Sequence, residues 1–236
     1  MITIKCYRCN DKGEYGGCPE CGKTISLGQK GATVVTTELL EKHVIPVEYQ
    51  SILWDRKILE GTHPLKIENP DFKIYCEQLT RIYNVFQQGE LPAQSAIIIA
   101  ERGMGKLTLA YTCMKQALSH GYTVCPVLDN TQIKRINELS SDNPKSYALY
   151  KQPRMEDLLY SDVLFMTVDK DRYSTALRTI ESLMDKRARL GNSTIVLSRF
   201  GLESMSQFEK RDSYQSLQES TRTFNNKKFP AIITCR

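Results

Sequence analysis

A segment with the composition of a phosphate-binding loop stands near the middle of the chain. Residues 100–107 read Ala-Glu-Arg-Gly-Met-Gly-Lys-Leu and directly follow the apolar run Ala96–Ile99. In such a loop, backbone N–H groups at a helix start cradle phosphate oxygens, a lysine reaches the outer phosphates, and a serine or threonine hydroxyl holds magnesium. Gly105 and Lys106 occupy two of these positions. The segment therefore predicts binding of a nucleotide's phosphates; the alternative is that Gly103 and Gly105 only make a tight turn.

The same loop departs from the working pattern at two positions. Ala100 stands where the first glycine is expected, and Leu107 stands where the magnesium-binding hydroxyl is expected. Thr108 brings a hydroxyl one residue late. ATP and magnesium are the candidate cofactors, and hydrolysis is expected to be weak or lost. The predicted nucleotide-binding residues are Gly103, Gly105, Lys106, Leu107 and Thr108.

Hydrolysis would also need an acid at the end of a neighbouring strand, to hold magnesium and position water. The apolar run Asp162–Asp169 is the candidate strand. If it ends at Met166, the acid positions are filled by Thr167 and Val168, which cannot replace a carboxylate. If it runs two residues longer, Asp169 can serve, and Asp169 is the candidate catalytic acid.

Two arginines are further candidates for catalysis. Arg199 follows the predicted strand Thr194–Ser198, at the place where a polar side chain would sense the terminal phosphate. Arg222, on a predicted late helix, could act as an arginine finger toward a neighbouring subunit. For both residues the alternative is an ordinary surface arginine.

Two Cys-x-x-Cys pairs lie within the first 21 residues and are separated by glycine-containing turns. Two such pairs can place four thiolates on one tetrahedral centre, which is typical of a structural zinc site. A redox pair would instead be expected at a helix start beside a strand, and His43 and His63 are not needed as ligands. The predicted zinc ligands are Cys6, Cys9, Cys18 and Cys21.

The composition favours a folded protein of a reducing compartment. The chain has 236 residues, of which 41% are hydrophobic, and no apolar stretch approaches the roughly 18 to 20 residues needed to span a bilayer. Because its start lacks the apolar core of a signal peptide, the expected location is the cytoplasm. The four cysteines outside the two pairs are expected to be ordinary core thiols.

The net charge of +5 permits contact with phosphate but does not establish nucleic-acid binding. The basic residues lie in short clusters, which could follow a DNA backbone or simply belong to solvated helix faces. These clusters are Lys134-Arg135, Lys186-Arg187-Ala188-Arg189, Lys210-Arg211 and Lys227-Lys228.

Apolar strands alternate with helical patterns from Ser95 onward, which predicts an α/β fold with a parallel sheet covered by helices on both faces. Strands are expected at residues 96–99, 122–128, 162–168, 194–198 and 229–234, and helices at 72–86, 105–119, 173–190 and 215–224. The predicted organisation is a zinc-binding knuckle over residues 1–30, a linker and helix over 31–92, and a nucleotide-binding domain over 93–236.

Taken in order, these motifs resemble the AAA+ replicative helicase loaders of the DnaC and DnaI type, in particular phage versions with an N-terminal cysteine knuckle. Cys6-Tyr-Arg-Cys9-Asn-Asp11-Lys-Gly13 is similar to their cysteine-rich opening, and Val44-Ile45-Pro46-Val-Glu-Tyr49 to their Ile-Pro-x-x-Tyr linker. Leu183–Arg187 is similar to a helix that ends in arginine, and Ser193–Arg199 to the sensor strand. The resemblance implies a P-loop sheet of the AAA+ type, DNA replication as the process, and a hexameric replicative helicase as partner. It further implies contact with single-stranded DNA and self-association.

The departures from this family fall on catalytic positions. The family usually has glycine at 100, serine or threonine at 107, an acidic pair at 167 and 168, and asparagine at 199; here these are Ala, Leu, Thr-Val and Arg. The resemblance therefore implies a loader or loader-like adaptor with weak or lost hydrolysis. Two other functions stay open: an active ATPase of another kind, such as a transposition helper, and a non-enzymatic zinc-ribbon inhibitor or adaptor of replication.

Overall fold

The structure is a computed structural model, and it describes residues 4–5, 12–13, 35–55, 70–92, 95–129, 131–133, 135–136, 153, 155–168, 182–198 and 232–235. Near the start of the chain, β1 (Ile4–Lys5) and β2 (Lys12–Gly13) pair antiparallel, with Ile4 opposite Gly13 and Lys5 opposite Lys12. This short ribbon brackets the first Cys-x-x-Cys pair in sequence. The cysteines themselves lie outside the described residues.

A five-stranded parallel sheet forms the centre of the described chain. Its spatial order is β4-β5-β6-β3-β7, so the strand that precedes the phosphate loop has a neighbour on each side. All strand pairs in it are parallel. The strands are β3 (Ala96–Ile99), β4 (Leu128–Asp129), β5 (Val163–Val168), β6 (Ser193–Ser198) and β7 (Ile232–Thr234).

Both faces of the sheet are covered, as a parallel sheet with near-continuous apolar strands requires. On one face, Ile98, Phe165 and Leu197 pack with two long helices, α3 (Pro70–Gln87) and α4 (Lys106–Ser119). The other face has its own cluster, in which the alternate strand residues pack against α5 (Met155–Tyr160) and the helical residues 182–189, here called α6. Each large apolar side chain buried in these layers contributes about 1.5–3 kcal/mol. The predicted α/β fold with helices on both faces is confirmed.

Two short helices precede α3. The first, α1 (Thr37–Lys42), begins after Thr36, whose hydroxyl accepts a 3.1 Å hydrogen bond from the Leu39 N–H. This bond satisfies one of the backbone donors that a helix start leaves unpaired. The second, α2 (Val47–Gln50), begins after Pro46, within the linker motif singled out in the sequence.

The observed elements match most of the predicted ones. The predicted helix 72–86 is α3, the predicted helix 105–119 is α4, and the strands around 162–168 and 194–198 are β5 and β6. The end of the predicted helix 173–190 is α6, and the predicted helix 215–224 lies outside the described residues. No helix in the described ranges is long and apolar enough to cross a membrane.

The predicted strand over residues 122–128 is wrong for most of its length. The structure has only an isolated bridge from Val124 to Val163, and β4 starts at Leu128. Pro126 has no N–H and cannot donate to a ladder, and the Thr123 N–H donates instead to the Asp162 carboxylate at 2.8 Å. The apolar pattern alone did not show this loss of ladder donors.

Candidate nucleotide-binding site

The phosphate-loop sequence forms the connection between β3 and α4. Ile99 is the last residue of β3, and Lys106 is the first residue of α4. Between them Gly103 and Gly105 have φ angles of 86° and 74°, in the left-handed region that favours glycine. Open space surrounds the position of a Cβ at Gly103, so the backbone conformation rather than crowding selects glycine there. The turn delivers the chain directly into a 14-residue helix, as a phosphate loop requires.

Lys106 is held inside the loop. Its side chain is only 9% exposed, and its ammonium group donates hydrogen bonds to the carbonyls of Ala100 at 2.5 Å and Glu101 at 2.6 Å. The loop thus folds around its own lysine. Both bonds are charge-assisted, because the donor is an ionised ammonium group.

The two residues after Lys106 differ in their surroundings. Leu107 is 40% exposed although it is apolar, and it occupies the position where the magnesium-binding hydroxyl was expected. Thr108 is half-buried one residue further into the helix. The Thr108 carbonyl accepts a 2.7 Å bond from the Thr112 hydroxyl, a bond within the helix itself.

Three strands of the sheet end together beside the loop. Ile99 pairs with Ser198, and Ser198 pairs with Val168, so β3, β6 and β5 end at the same level. The strand β5 therefore runs two residues beyond Met166, which is the condition under which Asp169 was expected to serve as the acid. Asp169, Arg199 and Arg222 all lie outside the described residues and stay predictions.

Thr167 and Val168 point to opposite faces of the sheet, since side chains alternate along a strand. Thr167 pairs with Leu197, which packs on the same face as α4. Val168 packs in the cluster on the other face and is 1% exposed. Of these two residues, the one on the face that carries α4 is therefore Thr167, whose side chain has a neutral hydroxyl group.

Tyr75 connects α3 to the loop. Its hydroxyl donates a 3.0 Å hydrogen bond to the Met104 carbonyl, and its side chain is fully buried. Burial raises the pKa of Tyr75, with smaller contributions from Cys235 and Cys76, so the hydroxyl keeps its proton and acts as a donor. The sequence predicted the helix over 72–86 but did not connect Tyr75 with the loop.

A buried lysine in α4 holds the linker. Lys115 is 1% exposed, and its ammonium group donates to the carbonyls of Tyr49 at 2.8 Å, Gln50 at 3.1 Å and Ile52. Beside it, the rings of Tyr49 and Tyr111 lie 4.5 Å apart. In the sequence, the signal for this role was a lysine within the largely apolar part of the predicted helix 105–119, and this signal was missed.

The linker also reaches α3. The indole N–H of Trp54 donates a 3.2 Å hydrogen bond to the Thr80 hydroxyl, and its ring lies 6.2 Å from that of Tyr83. Together with the Lys115 bonds, these contacts hold α2 and the segment after it against α3 and α4.

Arg187 belongs to a basic cluster for which a solvated face was considered, and that interpretation is wrong for this residue. Its side chain is fully buried in α6, and it donates to Thr194 at 2.9 Å, to the Ser193 carbonyl at 2.7 Å and to the Leu158 carbonyl. Burial lowers the pKa of this guanidinium to about 10. Arg187 is thus a clamp between α5, α6 and β6, whereas Arg189 in the same cluster is exposed and pairs with Asp185.

The predicted zinc ligands Cys6, Cys9, Cys18 and Cys21 lie outside the described residues. Within the ranges that the structure describes, no group of three or more metal-binding side chains was found. Cys76, Cys113 and Cys125 are buried, as predicted for core thiols, and Cys235 is partly exposed.

Neither a protein-family model nor a curated protein sequence matches this chain. Among solved structures, it is similar to a DnaC helicase loader, with 16% identity over 75% of this chain and 96% of that chain and a TM-score of 0.49. It is similar to a DnaI protein, with 12% identity over 78% and 95% and a TM-score of 0.43. It is also similar to an AMPPCP-bound DnaA from Aquifex aeolicus, with 14% identity over 67% and 53% and a TM-score of 0.41. Similarities of this degree assign neither a family nor a function to the chain.

Proposed function

We propose that the chain is an AAA+ helicase loader or loader-like adaptor of DNA replication, with a nucleotide-binding site whose hydrolytic activity is weak or lost. One observation carries most of this proposal: the loop 100–105 wraps around Lys106 at the C-terminal edge of a parallel sheet. That edge is where parallel α/β sheets bind ligands, and the loop leads into a helix start that attracts anions. The order of motifs along the sequence then favours a loader over other nucleotide-binding proteins.

The nucleotide site is proposed to use Gly103, Gly105 and Lys106 for the phosphates. Their conformation and the buried ammonium group support this assignment. Leu107 removes the usual hydroxyl, and the strand end that faces α4 offers Thr167 in place of a carboxylate. Because metal ions and preorganised charges each contribute orders of magnitude in rate, the loss of the hydroxyl at 107 and of the acidic pair at 167 and 168 supports slow or absent turnover.

The linker supports an adaptor role. It joins the cysteine-rich opening to the nucleotide-binding domain, and the ammonium group of Lys115 anchors it on α4, the helix that begins at the loop. A partner that pulls on the N-terminal region would therefore act on the same helix that holds the phosphates. We propose that this N-terminal region, with zinc on Cys6, Cys9, Cys18 and Cys21, contacts a hexameric replicative helicase.

Contact with single-stranded DNA and self-association complete the proposal. The basic residues Lys134, Arg135, Lys227 and Lys228 are the candidates for following a DNA backbone, and such binding would weaken steeply with salt. Arg222 would act across a subunit interface, and Asp169 and Arg199 would face the nucleotide. Of these residues the structure describes only Arg135, which is exposed.

The test is capture of the tagged chain from its own cellular context with and without ATP, followed by reconstitution with the purified partner on a sizing column. Recovery of a hexameric replicative helicase in near-stoichiometric amount, and its co-elution with the chain, is the expected result. Lys106→Ala serves as the matched variant, since it removes the ammonium group from the loop and leaves the N-terminal region intact. If no replication protein is recovered from either condition, the loader function is wrong.

A further inference from the structure

We infer that the phosphate loop binds a nucleotide's phosphates without magnesium. The inference rests on the proposed nucleotide site and specifies what that site takes. It follows from comparing the oxygen ligands that a magnesium ion requires with the side chains that the structure places around the loop.

Magnesium in nucleotide sites is held by oxygen atoms in near-octahedral geometry, usually by one or two carboxylates together with phosphate oxygens and water. In a phosphate loop the first protein oxygen is the hydroxyl that follows the lysine. Here that residue is Leu107, which is 40% exposed and has no oxygen in its side chain. The first anchor for the metal is therefore missing.

The second anchor is expected at the end of β5, on the face that carries α4. The last described side chain of β5 on that face is Thr167, because it pairs with Leu197 in the cluster that packs against α4. A neutral hydroxyl lacks the charge with which a carboxylate competes for magnesium against water. Val168, the next residue, has no oxygen and packs on the opposite face.

Two further described oxygen groups near this edge belong to Asp129 and Ser198. The Asp129 carboxylate pairs with the Gln132 N–H at 2.8 Å, while the Gln132 side chain accepts from the Asp129 N–H at 2.9 Å. This reciprocal bonding is typical of a helix start and uses one oxygen of the carboxylate, Oδ1. The Ser198 hydroxyl is fully buried without a hydrogen-bond partner in the described part of the chain, but its register with Val168 turns it away from α4.

The loop nevertheless keeps the groups that bind phosphate directly. The ammonium group of Lys106 lies at the loop's centre, and the first-turn N–H groups of the 14-residue helix α4 supply the positive end of its dipole. These groups act on phosphate oxygens and need no bridging metal. The described groups of the loop thus fit phosphate, while neither Leu107 nor Thr167 brings a charged oxygen for magnesium.

The test is titration calorimetry of the full chain with ATP, in buffer with 5 mM magnesium chloride and in buffer depleted of magnesium on a chelating resin. A free chelator is left out so that the proposed zinc stays bound. The expected result is that ATP binds no more tightly with magnesium than without it. Binding at least tenfold tighter with magnesium, or no ATP binding in either buffer, overturns the inference.

Three variants make the test specific. Leu107→Thr restores the missing hydroxyl and is expected to tighten ATP binding at least threefold in magnesium, relative to the depleted buffer. Leu107→Ala, which only shortens the side chain, is expected to show no such preference, and an equal response of the two variants contradicts the role given to residue 107. Asp169→Asn removes the candidate acid and is expected to change the ATP affinity equally in the two buffers; a loss of affinity in magnesium alone would show that Asp169 holds a metal and that the inference is wrong.

The result is independent of the helicase experiment. A chain that binds ATP equally in both buffers but captures no helicase keeps this inference and loses the loader function. A chain that captures the helicase but requires magnesium for ATP does the reverse.

Discussion

The hydroxyl of Tyr75 and the carbonyl of Met104 are joined by a 3.0 Å hydrogen bond that fixes the phosphate loop to α3. Within the loop, Lys106 bonds to two carbonyls at the loop's start. Tyr75 supports the loop's second half from outside, because it belongs to α3. Removal of the Tyr75 hydroxyl should therefore affect the conformation of the loop more than the stability of the fold.

Tyr75→Phe is expected to weaken ATP binding by about three- to tenfold. The variant loses a hydrogen bond of about 1 kcal/mol that orders the loop, so phosphate binding has to order the loop without it. Tyr83→Phe is the matched control, because the Tyr83 hydroxyl accepts a bond from Gln116 between the same two helices but far from the loop. Calorimetry measures the affinity and thermal unfolding measures the stability. Equal losses of affinity in the two variants would show that Tyr75 has no positioning role.

Arg187→Met is expected to lower the free energy of unfolding by about 3 kcal/mol. The substitution leaves several buried acceptors unpaired, among them the carbonyls of Ser193 and Leu158. Arg187→Lys should recover only part of this loss, since an ammonium group cannot reproduce the planar fork of donors.

The control for this prediction lies two residues away. Arg189→Met removes an exposed side chain whose partner is Asp185 at 2.8 Å, one helical turn earlier. Its effect is expected to stay within about 0.5 kcal/mol. Urea denaturation of the three variants compares them directly, and similar losses at positions 187 and 189 would contradict the assignment of Arg187 as a clamp.

The Cys125 thiol is expected to lower the stability of the fold as the pH rises from about 9 to about 11. Burial raises the pKa of the Cys125 thiol from 9.0 to about 11. Below pH 9 the thiol is neutral in both states, and above it the unfolded chain loses the proton first, so rising pH favours unfolding.

Cys125→Ala is the variant that checks this prediction. It should show a smaller fall in the free energy of unfolding over the same range, measured by urea denaturation at each pH. Some slope should remain, because burial also raises the pKa of Cys113. A wild-type slope in the variant would show that Cys125 does not titrate as described.

The zinc proposal predicts one zinc ion per chain after purification without added metal. Cys6→Ser should lower the zinc content, while Cys235→Ser, at a partly exposed cysteine outside the two pairs, should leave it unchanged. Elemental analysis by mass spectrometry measures the ratio. Full zinc content in the Cys6 variant would exclude this cysteine as a ligand.

The loop and its flanking elements were predictable because their signals are local. The apolar run Ala96–Ile99, the two glycines and the following helical pattern each specify backbone conformation within a few residues. The strand predicted over 122–128 failed for an equally local reason, the missing donor of Pro126.

The buried cations were not predictable in this way. Lys115 and Arg187 look like surface residues in sequence, and their partners are carbonyls that only the tertiary fold brings near, 63 to 66 residues away for Lys115. The pattern of apolar residues shows which helix face is inward, but it does not show where a cation can find acceptors there.

The contacts of Trp54 give the chain an optical handle. Trp54 is its single tryptophan, so the indole emission comes from one place, the segment after α2, where the indole N–H bonds to Thr80 on α3. Lys115 ties that linker to α4, nine residues or about 14 Å along the helix from Lys106. A change at the loop that moves α4 would alter the surroundings of this one fluorophore. Ligand binding to the unlabelled protein would then change the intensity or wavelength of its tryptophan fluorescence.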